Sequence, residues 1–211
     1  MALLQRNPRR LPRGPEILAL AAAGNIALVA AALSLEGATE EGIRLVVRHT
    51  AKGALLFFVA AFSASSLQTL WPSAASRYAL KNRRWLGLSF ALTHLVHLGA
   101  LVALGIAYPD PFVGGLSPVT LVGGGIAYLF LVLMAATSWN GAVRRLGPTR
   151  WRLLHTVGSW YIWLIFFQSY LGRAVSDPFY VPFAGLLVAC AGVRATRWVG
   201  ARRRAGSAAP A

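Results

Sequence analysis

Cysteine is almost missing from this chain. Cys190 is the single one, so no disulfide can form within it. Neither a Cys-x-x-Cys pair of the zinc or thioredoxin kind nor the Cys-x-x-Cys-His of covalently attached haem exists. Acids are scarce as well: six Asp and Glu stand against 21 Lys and Arg. That weighs against hard-metal sites and against chemistry by paired carboxylates. Charge of either sign amounts to 13% of residues, too little to coat a soluble domain of 211 residues. No Gly-x-Gly-x-x-Gly and no internal repeat is found.

What is abundant is hydrocarbon. Hydrophobic residues make up 56% of the chain, and they fall in runs of about 20, the length that crosses a bilayer as helix. The expected fold is all-α: a polytopic bundle of six transmembrane helices at roughly 16–35, 51–71, 85–107, 116–138, 151–172 and 180–199. Residues 1–15 read as a basic N-terminus and 16–199 as the bundle. Residues 200–211 read as a disordered basic tail suited to anionic lipid. Arg6, Arg9, Arg10 and Arg13 precede the first run as in a signal peptide, but Ile17 to Leu35 exceeds a usual signal core and shows no clear cleavage site. An uncleaved first span is expected.

The formal charge of +15 does not predict nucleic-acid binding, because the bases sit between apolar runs and form no single stripe. Arg77, Lys81, Arg83 and Arg84 occupy the second loop and Arg144, Arg145 and Arg150 the fourth. The third loop, "PDPFVGGLS", has no base, and the fifth holds only Arg173 and Asp177. Bases in alternate loops predict both termini in the cytoplasm.

Inside these runs stand histidines. His94 and His97, in "THLVHLGA", share one face of the third span, and His155 lies near the start of the fifth. Imidazole in lipid needs partners for a donor and an acceptor, so an intramembrane histidine is a site hypothesis. On the residues alone three readings stand. Haem needs one or two axial ligands and a broad apolar slot. Zinc needs three or four converging ligands, and no carboxylate is near to complete a set. The third reading is histidines bonded to neighbouring side chains. His49, at the outer end before span two, reads as a solvated interfacial residue. Gly123–Gly125, Gly158 and Ser159 read as close helix packing or as room for a flat ligand.

Two blocks then carry a resemblance. "NRRWLGLSFALTHLVHL" (82–98) and "LGPTRWRLLHTVGSWYIWLIFFQSY" (146–170) resemble, in order and separation, the paired blocks of the ferric-reductase-like transmembrane domain. Within that family the chain is most similar to the haem-binding membrane subunits of bacterial methionine sulfoxide reductase systems. The likeness covers about residues 50–172. It implies non-covalent haem b on histidines of spans three and five, a multi-pass place in a bacterial inner membrane, and electron transfer across it. It implies a cytosolic flavin reductase as donor and a periplasmic molybdenum enzyme as acceptor. A flavin of the chain's own finds no support in the sequence, so the donor is expected to act in trans. His97 falls at the family's span-three histidine and His155 at the first of span five.

The family's second span-five histidine, thirteen residues on, is Gln168 here, a poor iron ligand. At ~1.5 Å per residue, His94 and His97 lie roughly 14 and 18 Å above Trp85; His155 and Gln168 lie about 6 and 25 Å above Trp151. Three arrangements follow: one haem held by His155 and either His94 or His97; a haem on His97 alone; or a bundle that keeps the fold without haem. Arg83 and Arg84 are candidate partners of haem propionates, or simply topology-setting bases. The rival class is a haem-free accessory protein or small-solute carrier, with a cavity lined by Ser63, Ser65, Ser66, Gln68 and the histidines.

Overall fold

The computed structural model describes residues 11–110 and 118–207, without the side chains of 119 and 201–207. The rest of the "PDPFVGGLS" loop, the first ten residues and the last four lie outside the described residues. Every described element is helical: α1 Pro15–Glu36, α2 Glu40–Leu70, α3 Ala74–Lys81, α4 Arg83–Ala107, α5 Pro118–Ala136, α6 Asn140–Leu146, α7 Pro148–Ser176, a 3-10 turn Pro178–Tyr180 and α8 Val181–Ser207.

Four helices are long and apolar enough to cross a membrane: Pro15–Glu36, Glu40–Leu70, Arg83–Ala107 and Pro178–Gly200. The pair Thr120–Ala136 and Asn140–Leu146, bent by 105°, makes a fifth if taken as one broken span. α7 has the length, 29 residues, but His155, Gln168 and its tryptophans and tyrosines dilute its apolar character. Large apolar side chains such as Ile26, Leu35, Ile106 and Leu121 face outward, which is the surface of a protein solvated by lipid and a liability in water.

Local chemistry explains the turns. Gly37, at φ +68°, reverses the chain after α1, and Thr39 caps α2 by accepting from Gly42 N–H at 3.2 Å. A Cβ on Gly42 would meet the Gly37 carbonyl oxygen at 2.2 Å, so the turn closes only around glycine there. α2 then begins eleven residues before the expected span, because Glu40–Arg44 and Glu41–Arg48 pairs stabilise polar helix outside the apolar run. His49 accordingly lies within α2, its Nδ1–H donating to Leu45 O at 2.9 Å. Gly147, at φ +77°, and Pro148 at the first turn break α6 from α7. α8 runs on to Ser207, into the segment read as a basic tail.

α2 is the hub. It packs along α4 and touches α1, α3 and α8, while α7 packs on α5 and α8. α4 and α7 meet across the centre through rings: Phe90 and His94 of α4 both touch Phe166 of α7, at 6.0 and 5.3 Å between centroids. Phe58 of α2 completes this layer, 5.3 Å from Phe90 and 5.4 Å from Phe166.

Candidate functional site

The phenylalanine layer divides the interior into two places, and the candidate residues sort between them. On one side lie the α4 histidines. His97 Nδ1 is 2.9 Å from Val47 O and 3.2 Å from Thr50 Oγ1. A carbonyl only accepts, so Nδ1 carries the proton. Thr50 spends its own hydrogen on Val46 O at 2.6 Å and can only accept from the ring. Nε2 is therefore the lone-pair nitrogen of His97. A ring N–H anchored on a backbone carbonyl, with the other nitrogen left bare, is how metal-binding histidines are oriented.

His94 is stacked between His97 (5.1 Å, 14°) and Tyr128 (5.0 Å, 21°). Its Nδ1 is buried without a hydrogen-bond partner, as is the hydroxyl of Ser89, five residues earlier in α4. An orphaned ring nitrogen in apolar surroundings carries a desolvation cost of about 1–3 kcal/mol. Tyr128 O–H donates to the His94 carbonyl at 3.3 Å, which ties α5 to α4 at this level.

On the other side of the layer His155 stacks on Trp151, 4.3 Å between ring centres. Its Nε2 is 3.1 Å from Thr137 Oγ1, whose hydrogen goes to Leu133 O at 2.7 Å. Nε2 thus carries the proton and Nδ1 the lone pair. His155 lines a cavity of about 470 Å³, inside the range of small-molecule clefts. Its walls are mostly apolar, with Phe58, Phe62, Phe90 and Leu131 among them, and Arg83 and Arg84 bring two guanidiniums to it. Gly87 stands in the α4 wall with open space where a Cβ would be.

His94 and His97 are thus brought together, and His155 is brought together with Arg83 and Arg84. The α4 side of the cavity extends to Ala91. His97 lies six residues beyond, about 9 Å along the helix. None of Ser63, Ser65, Ser66 and Gln68 lines this cavity. Ser63 donates to Val59 O, Ser65 accepts from Arg197, and Gln68 accepts from Ser76. Gln168 is exposed, off the inward stripe of Ile162, Phe166 and Tyr170. Thirteen residues make about 3.6 turns, so Gln168 does not share the face of His155.

The family model of the ferric reductase like transmembrane component matches residues 50–166. The chain belongs to this family. The matched stretch runs from Thr50 to Phe166, so it takes in all three intramembrane histidines and the phenylalanine layer, but not Val47, α1 or α8. Over 175 residues the chain is 29% identical to the protein-methionine-sulfoxide reductase heme-binding subunit MsrQ of Rhodospirillum rubrum, with 79% of each chain covered. No solved structure matches.

Within this ferric-reductase-like domain, several residues that set the site carry no signal in the sequence. Thr50, Val47 and Tyr128 act on histidines 34 to 50 positions away, and no local pattern announces such pairs. Thr137 lies eighteen positions before His155, and nothing local in the sequence links its hydroxyl to that ring.

Proposed function

We propose that this chain is a haem b membrane subunit, carrying electrons from a cytosolic flavin or nicotinamide reductase to an extracytoplasmic reductase. The acceptor that the relative's name suggests is a sulfoxide reductase, and the wider resemblance suggests a molybdenum enzyme. The proposed frame is six spans in a bacterial-type inner membrane, with both termini in the cytoplasm. One observation carries the reading: the bare Nε2 of His97, held by the Val47 carbonyl inside an apolar bundle.

The donor set fits haem. His97 and His155 are the primary candidate ligands and His94, with its unpartnered Nδ1, the third. Arg83 and Arg84 would neutralise propionate carboxylates, which guanidinium binds as a fork. Bound haem supplies a one-electron ferric–ferrous couple whose potential follows ligand identity and burial. The chain orients imidazoles, excludes water with the Phe58–Phe90–Phe166 layer, and keeps the interior poor in charge.

A reduced-minus-oxidised spectrum of protein expressed with ample haem tests this. A Soret band and sharp α band are expected; protein free of both refutes the proposal. His97→Ala is expected to abolish the spectrum at the α4 site. If His155→Ala removes the same band, one haem is shared between the helices. If it leaves a band intact, the two places act separately.

A further inference from the structure

Three arginines from two helices converge on one stretch of α2. Arg83 Nε donates to Ala61 O at 3.1 Å, Arg194 to Phe62 O at 3.2 Å, and Arg197 to Ser65 Oγ at 2.9 Å. The Arg194 guanidinium also lies 4.0 Å from the Phe62 ring and 5.1 Å from that of Trp160. All three guanidiniums are thus anchored within the five residues Ala61 to Ser65. Among the described residues no carboxylate pairs with them. The ion pairs among the described residues are Glu40–Arg44 and Glu41–Arg48, at the far end of α2. Glu16, the one acid at this end, is engaged by the Arg13 backbone N–H. Each guanidinium has five N–H donors, and each spends one on α2.

Three guanidiniums anchored side by side at the mouth of a membrane bundle, with N–H donors to spare, are suited to an anion of several oxygens. We propose that Arg83, Arg194 and Arg197 form a binding site for a phosphate group between α2, α4 and α8, as borne by an anionic phospholipid headgroup. The site lies within the last three turns of α2, where a headgroup sits beside a span. Arg83 is shared with the cavity beside His155, but Arg194 and Arg197 do not line it, so variants of those two test the site apart from the haem reading.

The test uses the full chain in nanodiscs of three kinds: phosphatidylcholine alone, phosphatidylcholine with phosphatidylglycerol, and phosphatidylcholine with inorganic phosphate in the buffer. Melting temperature, retained lipid by native mass spectrometry and haem content are read on the same samples. Wild type is expected to retain phosphatidylglycerol preferentially and to melt higher with it. R197Q, whose side chain is exposed, is expected to lose about fivefold of that preference, and R194Q/R197Q more. Stabilisation by free phosphate in the neutral discs supports the same site with a soluble ligand as its source. Wild type indifferent to both, or R197Q and R194Q/R197Q keeping the full preference, overturns the proposal. Loss of haem in R194Q/R197Q with lipid preference intact also overturns it, because the arginines then serve the propionates.

Discussion

At the scale of single residues, the informative feature is which ring nitrogen is spent. His97 donates from Nδ1 to Val47 O and, more weakly by distance, to Thr50 Oγ1. Removing the hydroxyl with Thr50→Val keeps the carbonyl and the ring's tautomer but frees the ring to tilt. Partners of this kind change metal affinity by about 10–100-fold. The lower end is expected here, since one anchor remains: about a tenfold weaker haem affinity in reconstitution titrations, with an unaltered number of haems at saturation. His94→Ala separates a ligand from a packing role. As a packing residue it removes a stacked ring and relieves the orphaned Nδ1, so haem content stays constant while thermal stability shifts. As an axial ligand it changes the spin state seen by electron paramagnetic resonance.

Among elements, the contacts that set helix spacing are small and specific. A Cβ on Gly158 would meet Met134 Sδ at 2.6 Å and Phe130 Cδ1 at 3.0 Å, so α7 and α5 touch at hydrogen there. Alanine gains up to about 1 kcal/mol of helix propensity, and the flexible Met134 end can retreat, so Gly158→Ala is expected to be near neutral. Gly158→Val cannot be absorbed that way and should lose about 1–3 kcal/mol, read as a lower midpoint in detergent unfolding. Asn25 is the corresponding tie of α1 to α4: buried, its amide donates to Thr93 Oγ1 at 3.0 Å and to Ala21 O at 2.7 Å. Interhelical bonds in bilayers average about 0.6 kcal/mol, so Asn25→Leu is expected to cost little stability unless α1 packs poorly around it. The sequence shows α1 and α4 almost to the residue, because hydropathy follows the hydrocarbon they cross. It does not show the first eleven residues of α2, whose stability comes from charge pairs in water, nor α3 and α6, which are too short and polar to register as spans. The histidines themselves stand out in any reading of the chain. That His94 and His97 lie on one side of a phenylalanine layer and His155 on the other depends on helix rotation, which packing sets and periodicity does not.

For the whole molecule the question is direction. Arg13, Arg77, Lys81, Arg83, Arg84, Arg144, Arg145, Arg150, Arg152, Arg194 and Arg197 gather at one end of the bundle. Arg44, Arg48, Lys52 and Arg173 stand at the other, which also holds Glu36, Glu40, Glu41, Asp110 and Asp177. Tyr108 O–H donating to Ala38 O, and Lys52 lying 4.6 Å from the Phe179 ring, tie that second end together. A bias of bases this large fixes orientation during insertion, so the arginine-rich end should face the cytoplasm. The cavity with His155, Arg83 and Arg84 then lies toward the proposed cytosolic donor and His97 toward the proposed acceptor, which is the order the proposed outward conduit requires. α7 is the element on which this depends, since its 29 residues are long enough but not apolar enough to stand among the candidate spans, and it must still cross for the alternation to hold. Single cysteines introduced into a Cys190→Ala background decide it. Cysteines at Lys81 and Gly147 should resist a membrane-impermeant maleimide in intact cells, and cysteines at Ala38 and Asp177 should react. If the Gly147 and Asp177 positions label from the same side, α7 does not cross, His155 is not on the donor side, and the conduit loses its inner half.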